Sequence, residues 1–330
     1  MTTHALYSAS SLDRLAVCPI SARLAEGVVE PRSPAAEKGT RIHAIAEKIL
    51  TGEAIPAGSF EDEIHMAMQY TAFVEDMLGD GDIYVEVDLS PALKMYNPSF
   101  GGTADAVIRH NEIMDVIDLK TGTQHITPKE NKQLLTYGLG ALDTLSWIGV
   151  KKVRLHIWQP GNVSSVEYPV QRLKDWAKEL VAIGNAADDP FAKAVPTKKG
   201  CYYCKGKAKC DALRELAVQS ARQEFSENEL EKLLDQAEIV GIWVDAIKEH
   251  GKNMLANGAN GGHWQLKPGR KMTGWANKDA AFDFFRDFPE ALEVKSVAQV
   301  KKLGLLDIPL ELIEEKESAP SLVKKDQDLV

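Results

Sequence analysis

A chain of 330 residues, 44% of them hydrophobic, can bury a full core and has room for one large domain plus a smaller one. Its formal charge of −9 argues against a protein that coats nucleic acid by bulk attraction. No apolar run approaches the roughly 18 residues of a membrane span, and MTTHALYSASSLDRL lacks a basic start followed by an apolar core. No secretion signal is therefore expected, and the setting is read as cytoplasmic and reducing.

Ser8 to Leu24 reads as a helix capped by Ser10 or Ser11 and interrupted at Cys18-Pro19, since proline disfavours helical geometry in the residue before it. Pro34 to Leu50 is a second helix with Ile42, Ile45, Ala46 and Ile49 as its buried stripe, and Glu61 to Leu78 a third. Within the second, Gly39-Thr40-Arg41-Ile42-His43 leaves two readings of His43, a metal ligand or a partly buried surface histidine. Glu47 shares its face one turn on. Ile83 to Leu89 alternates as a half-buried strand, with Glu86 on the face opposite Ile83, Val85 and Val87. Glu86 is either an exposed strand residue or a neighbour of a site.

The stretch GGTADAVIRHNEIMDVIDLK, Gly101 to Lys120, reads as two strands joined at His110 and Asn111. Met114, Val116, Asp118 and Lys120 share one parity, so Asp118 and Lys120 project to the same side at the strand's end. Asp105 lies early on the partner strand, after a Gly-Gly pair expected to let the backbone turn tightly. Two carboxylates and a lysine at one sheet edge can hold a hard divalent cation and an attacking water. A helix follows from about Pro128 to Trp147, with Gln133 and Tyr137 on one face. Then come strands at Lys152 to Trp158 and Val163 to Val170, and a helix at Leu173 to Ala187.

The four cysteines are Cys18, Cys201, Cys204 and Cys210, the last three as C-x2-C-x5-C. In a reducing compartment this spacing points to metal binding or redox chemistry rather than to a disulfide, and four thiolates suit a structural zinc or a [4Fe–4S] cluster. Phe191 to Cys210 also carries six lysines and no acidic residue, which reads as a phosphate-contacting patch or as plain solvated surface.

Asp105, Asp118-Leu119-Lys120, G-T-x-x-H at Gly39 to His43 and Q-x-x-x-Y at Gln133 to Tyr137 together resemble the PD-(D/E)xK nuclease superfamily, in its RecB-like branch. The cysteine arrangement resembles that of AddB-type and CRISPR-adaptation nucleases. The resemblance covers roughly residues 1–220. It implies an α/β fold with a restriction-endonuclease-like αβββαβ core, a mixed central sheet flanked by helices. It further implies Mg²⁺ or Mn²⁺ held by His43, Asp105, Asp118 and the carbonyl of Leu119, with Lys120 acting on water or phosphate. Gln133 and Tyr137 would position the DNA strand, and a [4Fe–4S] cluster on the four cysteines would tie the domain's ends together. The function so implied is a metal-dependent DNA nuclease, an exonuclease of phage or prophage recombination, replication or repair. Its partners would be a DNA end and a phage single-strand-binding or recombination protein. The alternative is a non-cleaving DNA-binding or assembly module on a nuclease scaffold.

The expected domains are 1–222, the nuclease, and 223–330, a mainly helical α+β extension with a polar tail from Glu314. In the extension Glu227 to Asn257 reads as one long helix, Trp264 to Lys267 as a strand, and Asp279 to Phe288 and Val297 to Leu303 as helices. Trp264, Trp275, Phe284 and Phe285, beside Lys267, Arg270 and Lys271, either stack on single-stranded bases or form a small core.

Overall fold

The computed structural model describes residues 5–28, 33–222, 227–260, 262 and 264–266. Its strands are β1 (Tyr7–Ser8), β2 (Asp82–Asp88), β3 (Phe100–Gly101), β4 (Thr103–Arg109), β5 (Ile113–Leu119), β6 (Lys152–Gln159) and β7 (Asn162–Pro169). Its α-helices are α1 (Leu12–Val17), α2 (Ser21–Ala25), α3 (Pro34–Leu50), α4 (Glu61–Leu78), α5 (Ser90–Leu93), α6 (Lys132–Leu145), α7 (Val170–Asp188), α8 (Lys198–Tyr202), α9 (Asp211–Arg222) and α10 (Leu230–Ala256).

The first predicted helix is two, broken at Cys18 as Pro19 requires, and Ser11 makes no side-chain cap; its hydroxyl donates to the Ser8 carbonyl instead. Helices α3 and α4 have the predicted bounds. Ser33 caps α3 by accepting from the Ala36 amide at 3.2 Å, with Pro34 pre-set for the first turn. Three acidic residues, Glu61, Asp62 and Glu63, open α4, where they complement the positive end of the helix dipole. Arg41 of α3 grips the buried Glu63 with both arms, at 2.9 and 2.6 Å.

A five-stranded mixed sheet runs in the order β2-β4-β5-β6-β7, antiparallel except for the parallel β5–β6 pair. Parallel neighbours need a crossover, and α6 supplies it. One face packs Ile108, Ile117, Leu119 and Trp158 against Ile42, Ile45, Tyr70 and Val74 of α3 and α4. The other packs Val107, Val116, Leu155 and Ile157 against Leu134, Leu139, Leu173 and Trp176 of α6 and α7. Buried on both faces, β5 is apolar at all its interior positions except Asp115 and Asp118. The result is a mixed α/β architecture with helix layers on both sides, and its element order (α4, β2, β4, β5, α6, β6) is helix, three strands, helix, strand.

Several expectations change. Strand β2 does not alternate throughout: Ile83 packs toward α3 and α4, but Tyr84 and Val87 both pack on the opposite face. The parity breaks at Glu86, whose φ is 48°. The Gly101-Gly102 pair serves close approach rather than a tight turn, because a Cβ on Gly102 would stand 2.9 Å from the Tyr137 ring. The first compact unit runs to Leu266 and the second spans 267–330, rather than dividing at 222/223. The reason is that Ile239, Ile242 and Trp243 of α10 pack onto Cys201, Cys210 and Leu213. Residues 264–266 form no strand, and the expected helices beyond them, with Lys267, Arg270, Lys271, Trp275, Phe284 and Phe285, lie outside the described residues. Among the described residues no helix is long and apolar enough to cross a membrane.

Candidate active site and metal centre

Three acidic residues form a row across three adjacent strands. The pairs Val85↔Ala106 and Val87↔Ala104 bracket Glu86 opposite Asp105, and one step beyond Ala106↔Ile117 sets Asp105 opposite Asp118. The row lies at the end of the sheet, where α3 approaches from one layer and α6 from the other. Gly39 permits that approach on the α3 side, since a Cβ there would stand 2.9 Å from Thr121 Oγ1, just past Lys120. This is the physical use of the glycine in G-T-x-x-H.

From α3, His43 places Nδ1 3.2 Å from Asp105 Oδ1. The other oxygen of Asp105 accepts from the Leu119 amide at 2.7 Å, so that amide is what fixes the carboxylate. Ligand atoms of His43, Glu86 and Asp105 all lie within 4.8 Å of one another. Asp118 is buried and held from α6 and from its own strand: Gln133 Nε2 donates to its Oδ1 at 3.1 Å, and Lys120 Nζ lies 2.8 Å from its Oδ2. Gln133 also accepts from Lys120 at 3.2 Å and donates to the Tyr137 hydroxyl at 3.0 Å. The structure thus gathers His43, Asp105, Asp118, Leu119, Lys120, Gln133 and Tyr137 in one place, and it adds Glu86.

The electrostatics show more negative charge than the local cations balance. Burial, partly offset by Lys120 and reinforced by Asp105, pushes the Asp118 carboxyl up to about 6. Burial, then the charge of Asp105, pushes Glu86 up to about 7, with Glu47 of α3 adding to it. Burial draws the His43 imidazolium down, but the Asp105 hydrogen bond and the charges of Asp105, Asp118 and Glu86 outweigh it, and its pKa is raised. One imidazole with clustered carboxylates, short of positive charge, is a donor set that fits a hard divalent cation and suits Mn²⁺ or Mg²⁺.

Sequence reasoning missed Tyr70 altogether. It is buried on α4, its hydroxyl has no hydrogen-bond partner, and burial, then the charges of Asp105, Asp118 and Glu86, raise its pKa well above the usual phenol value. A buried tyrosine on α4 gives no local sign of carboxylates contributed by other elements.

A groove runs from Lys120 and Gln133 past Arg14, Lys129 and Lys132 to Lys199 and Tyr203. The six-lysine run is not free of acids in space. Lys198 pairs with Glu238 of α10 at 2.9 Å and Lys199 with Asp13 at 3.3 Å, while Lys205, Lys207 and Lys209 line a second hollow beside Asp245 and Glu249. Of that run, Lys199 is the lysine that lines the groove beside Lys120.

Cys18, Cys201, Cys204 and Cys210 are free, buried, and line one cavity with Arg14, Ser21 and Leu24. The Val195 and Thr197 amides approach Cys18 Sγ and Cys201 Sγ at 3.4 Å, Val195 and Cys18 being 177 residues apart. Burial raises the Cys201 and Cys204 thiols, each further raised by the other cysteines. Four thiols around one cavity, two of them approached by amides, offer the donor set of a four-thiolate metal site.

The chain is similar to two solved structures at low levels. The crystal structure of SSO0001 is 15% identical over 61% of this chain and 84% of that one, with a TM-score of 0.33. The alkaline exonuclease LHK-Exo from Laribacter hongkongensis is 12% identical over 54% of this chain and 87% of that one, with a TM-score of 0.24. The family DUF2800, described as a protein of unknown function, matches residues 4–327, and the chain belongs to that family.

Proposed function

We propose that this protein is a divalent-cation-dependent DNA nuclease with a PD-(D/E)xK active site, acting from DNA ends. The observation that carries the reading is the convergence of His43, Asp105, Asp118 and Lys120, from three separate elements, on one row of under-neutralised carboxylates. His43, Asp105 and Asp118 hold Mg²⁺ or Mn²⁺, with the Leu119 carbonyl as the further ligand the resemblance implies. When bound, such a cation supplies Lewis acidity toward a phosphate oxygen and lowers the pKa of its water.

The chain's own residues do the rest. Lys120 sits on Asp118 at 2.8 Å, within reach of a water or phosphate oxygen at the same carboxylate, and its charge opposes the negative charge that grows on phosphorus. Gln133 fixes Lys120 and Asp118 at once, and Tyr137 fixes Gln133, so both charged ends are pre-set before substrate arrives. The groove lined by Arg14, Lys129, Lys132 and Lys199 meets the DNA backbone. The four cysteines carry an iron–sulfur cluster, with zinc the alternative, that ties α1 and the Val195–Cys210 segment together beside that groove. End-labelled linear DNA and a circular control, with Mg²⁺ or Mn²⁺, test the proposal. Asp118→Ala and Lys120→Ala should each abolish cleavage while keeping the fold. Near-normal turnover in either would refute the assignment, and equal cleavage of the circle would refute action from ends.

A further inference from the structure

We propose that Glu86 and Tyr70 form a cation-binding arm on the β2 side of Asp105, with Glu86 a direct ligand and the Tyr70 hydroxyl oxygen an acceptor for a proton of the cation's water. The proposal rests on the cation-dependent reading above and adds two residues that lie outside the D…D-x-K, G-T-x-x-H and Q-x-x-x-Y patterns.

Glu86 is placed at a cost. Its φ of 48° lies in the left-handed region, which a non-glycine residue adopts under strain when the surroundings demand it. That local reversal breaks the parity of β2 and sets Glu86 opposite Asp105, its ligand atom within 4.8 Å of those of His43 and Asp105. No hydrogen bond or ion pair to its side chain occurs among the described residues. A half-buried carboxylate held beside another carboxylate and His43, with strain and no hydrogen bond, is accounted for by a cation among them.

Tyr70 is the independent observation. It is 1% exposed, packed edge-on to Trp158 at 5.8 Å, and its apolar cluster includes Ile42, Ala106 and Leu119, each next in sequence to a site residue. Phenylalanine would fill that place equally well. The hydroxyl instead is buried with no hydrogen-bond partner, in the layer that packs against the strands carrying Asp105 and Asp118. A buried hydroxyl left unbonded is destabilising, because it has given up its water without a replacement. A water on the cation would donate to its oxygen and remove that penalty. Tyr70 is therefore a positioning residue.

Mn²⁺ titration by calorimetry on the full chain, with the metal-free melting temperature read in parallel, tests both residues. Mn²⁺ is a hard cation that the thiol site does not favour. Glu86→Gln and Tyr70→Phe should each weaken Mn²⁺ binding by about tenfold or more, as loss of supporting groups around metal sites does. Tyr70→Phe should leave the metal-free melting temperature unchanged or higher. A purely structural tyrosine would leave the Mn²⁺ titration unmoved. Wild-type affinity in either variant overturns the role given to that residue and leaves the nuclease reading standing. A wild-type protein that takes up neither Mn²⁺ nor Mg²⁺ overturns both.

Discussion

Glu86→Gln should stabilise the metal-free protein at pH 8 and leave it unchanged at pH 4. Burial and the charge of Asp105 raise the Glu86 carboxyl to about 7, against an ordinary 4.5. The folded state therefore favours the protonated form. Its contribution is fully present below pH 4.5 and is lost as pH rises through 7. Undiscounted, that difference is worth ~3 kcal/mol against the ionised group. The carboxyl is partly open to solvent, which screens the interaction, so about 1–2 kcal/mol is expected. Glutamine keeps the shape and the backbone conformation but carries no charge. Thermal melts after exhaustive removal of divalent cations should show the variant roughly 2–6 °C above wild type at pH 8 and level with it at pH 4. Saturating Mn²⁺ at pH 8 should reverse the order. A variant less stable than wild type at pH 8 without metal, or equally shifted at both pH values, would refute the account of a carboxylate held against its own electrostatics.

His43→Ala should weaken cation dependence without unfolding the chain, with partial recovery at raised Mn²⁺; titration curves identical to wild type would remove His43 from the site. Anaerobically purified protein should be brown, and Cys18→Ser should lower iron content and melting temperature as much as Cys204→Ser does, because a four-thiolate site missing one ligand is open and labile. Full metal content and wild-type melting in Cys18→Ser would sink the staple, whereas a colourless protein with stoichiometric zinc would replace iron but keep it. Asp115→Ala should cost about 2–4 kcal/mol in urea denaturation, since it removes a buried charge that half-buried Arg154 holds at 2.7 Å and buried His156 at 2.8 Å. A loss under about 1 kcal/mol would show that the pair relaxes into solvent.

What the chain's local chemistry determines is the elements and the reactive residues upon them. Helices α3 and α4 were legible to the residue because helix signals, such as the apolar stripe of α3, are properties of neighbours in sequence. The strand pair carrying Asp105, Asp118 and Lys120 was legible for the same reason, and so was the break at Cys18-Pro19. Tertiary structure alone decided which of these residues meet. Nothing near Glu86 announces a backbone reversal, because its φ of 48° is imposed by pairing with β4 and by the parity of the faces on either side. Tyr70 drew no notice in the sequence, since the charges that raise its pKa after burial come from β2, β4 and β5. The lysine run looked free of acids because Asp13 and Glu238, which pair with Lys199 and Lys198, are distant along the chain. The 222/223 boundary likewise gave way to one after Leu266, as α10 covers the cysteine segment with Ile239, Ile242 and Trp243. Periodicity and capping act over a few residues, but strand register, burial and charge pairing are set by the whole packed chain.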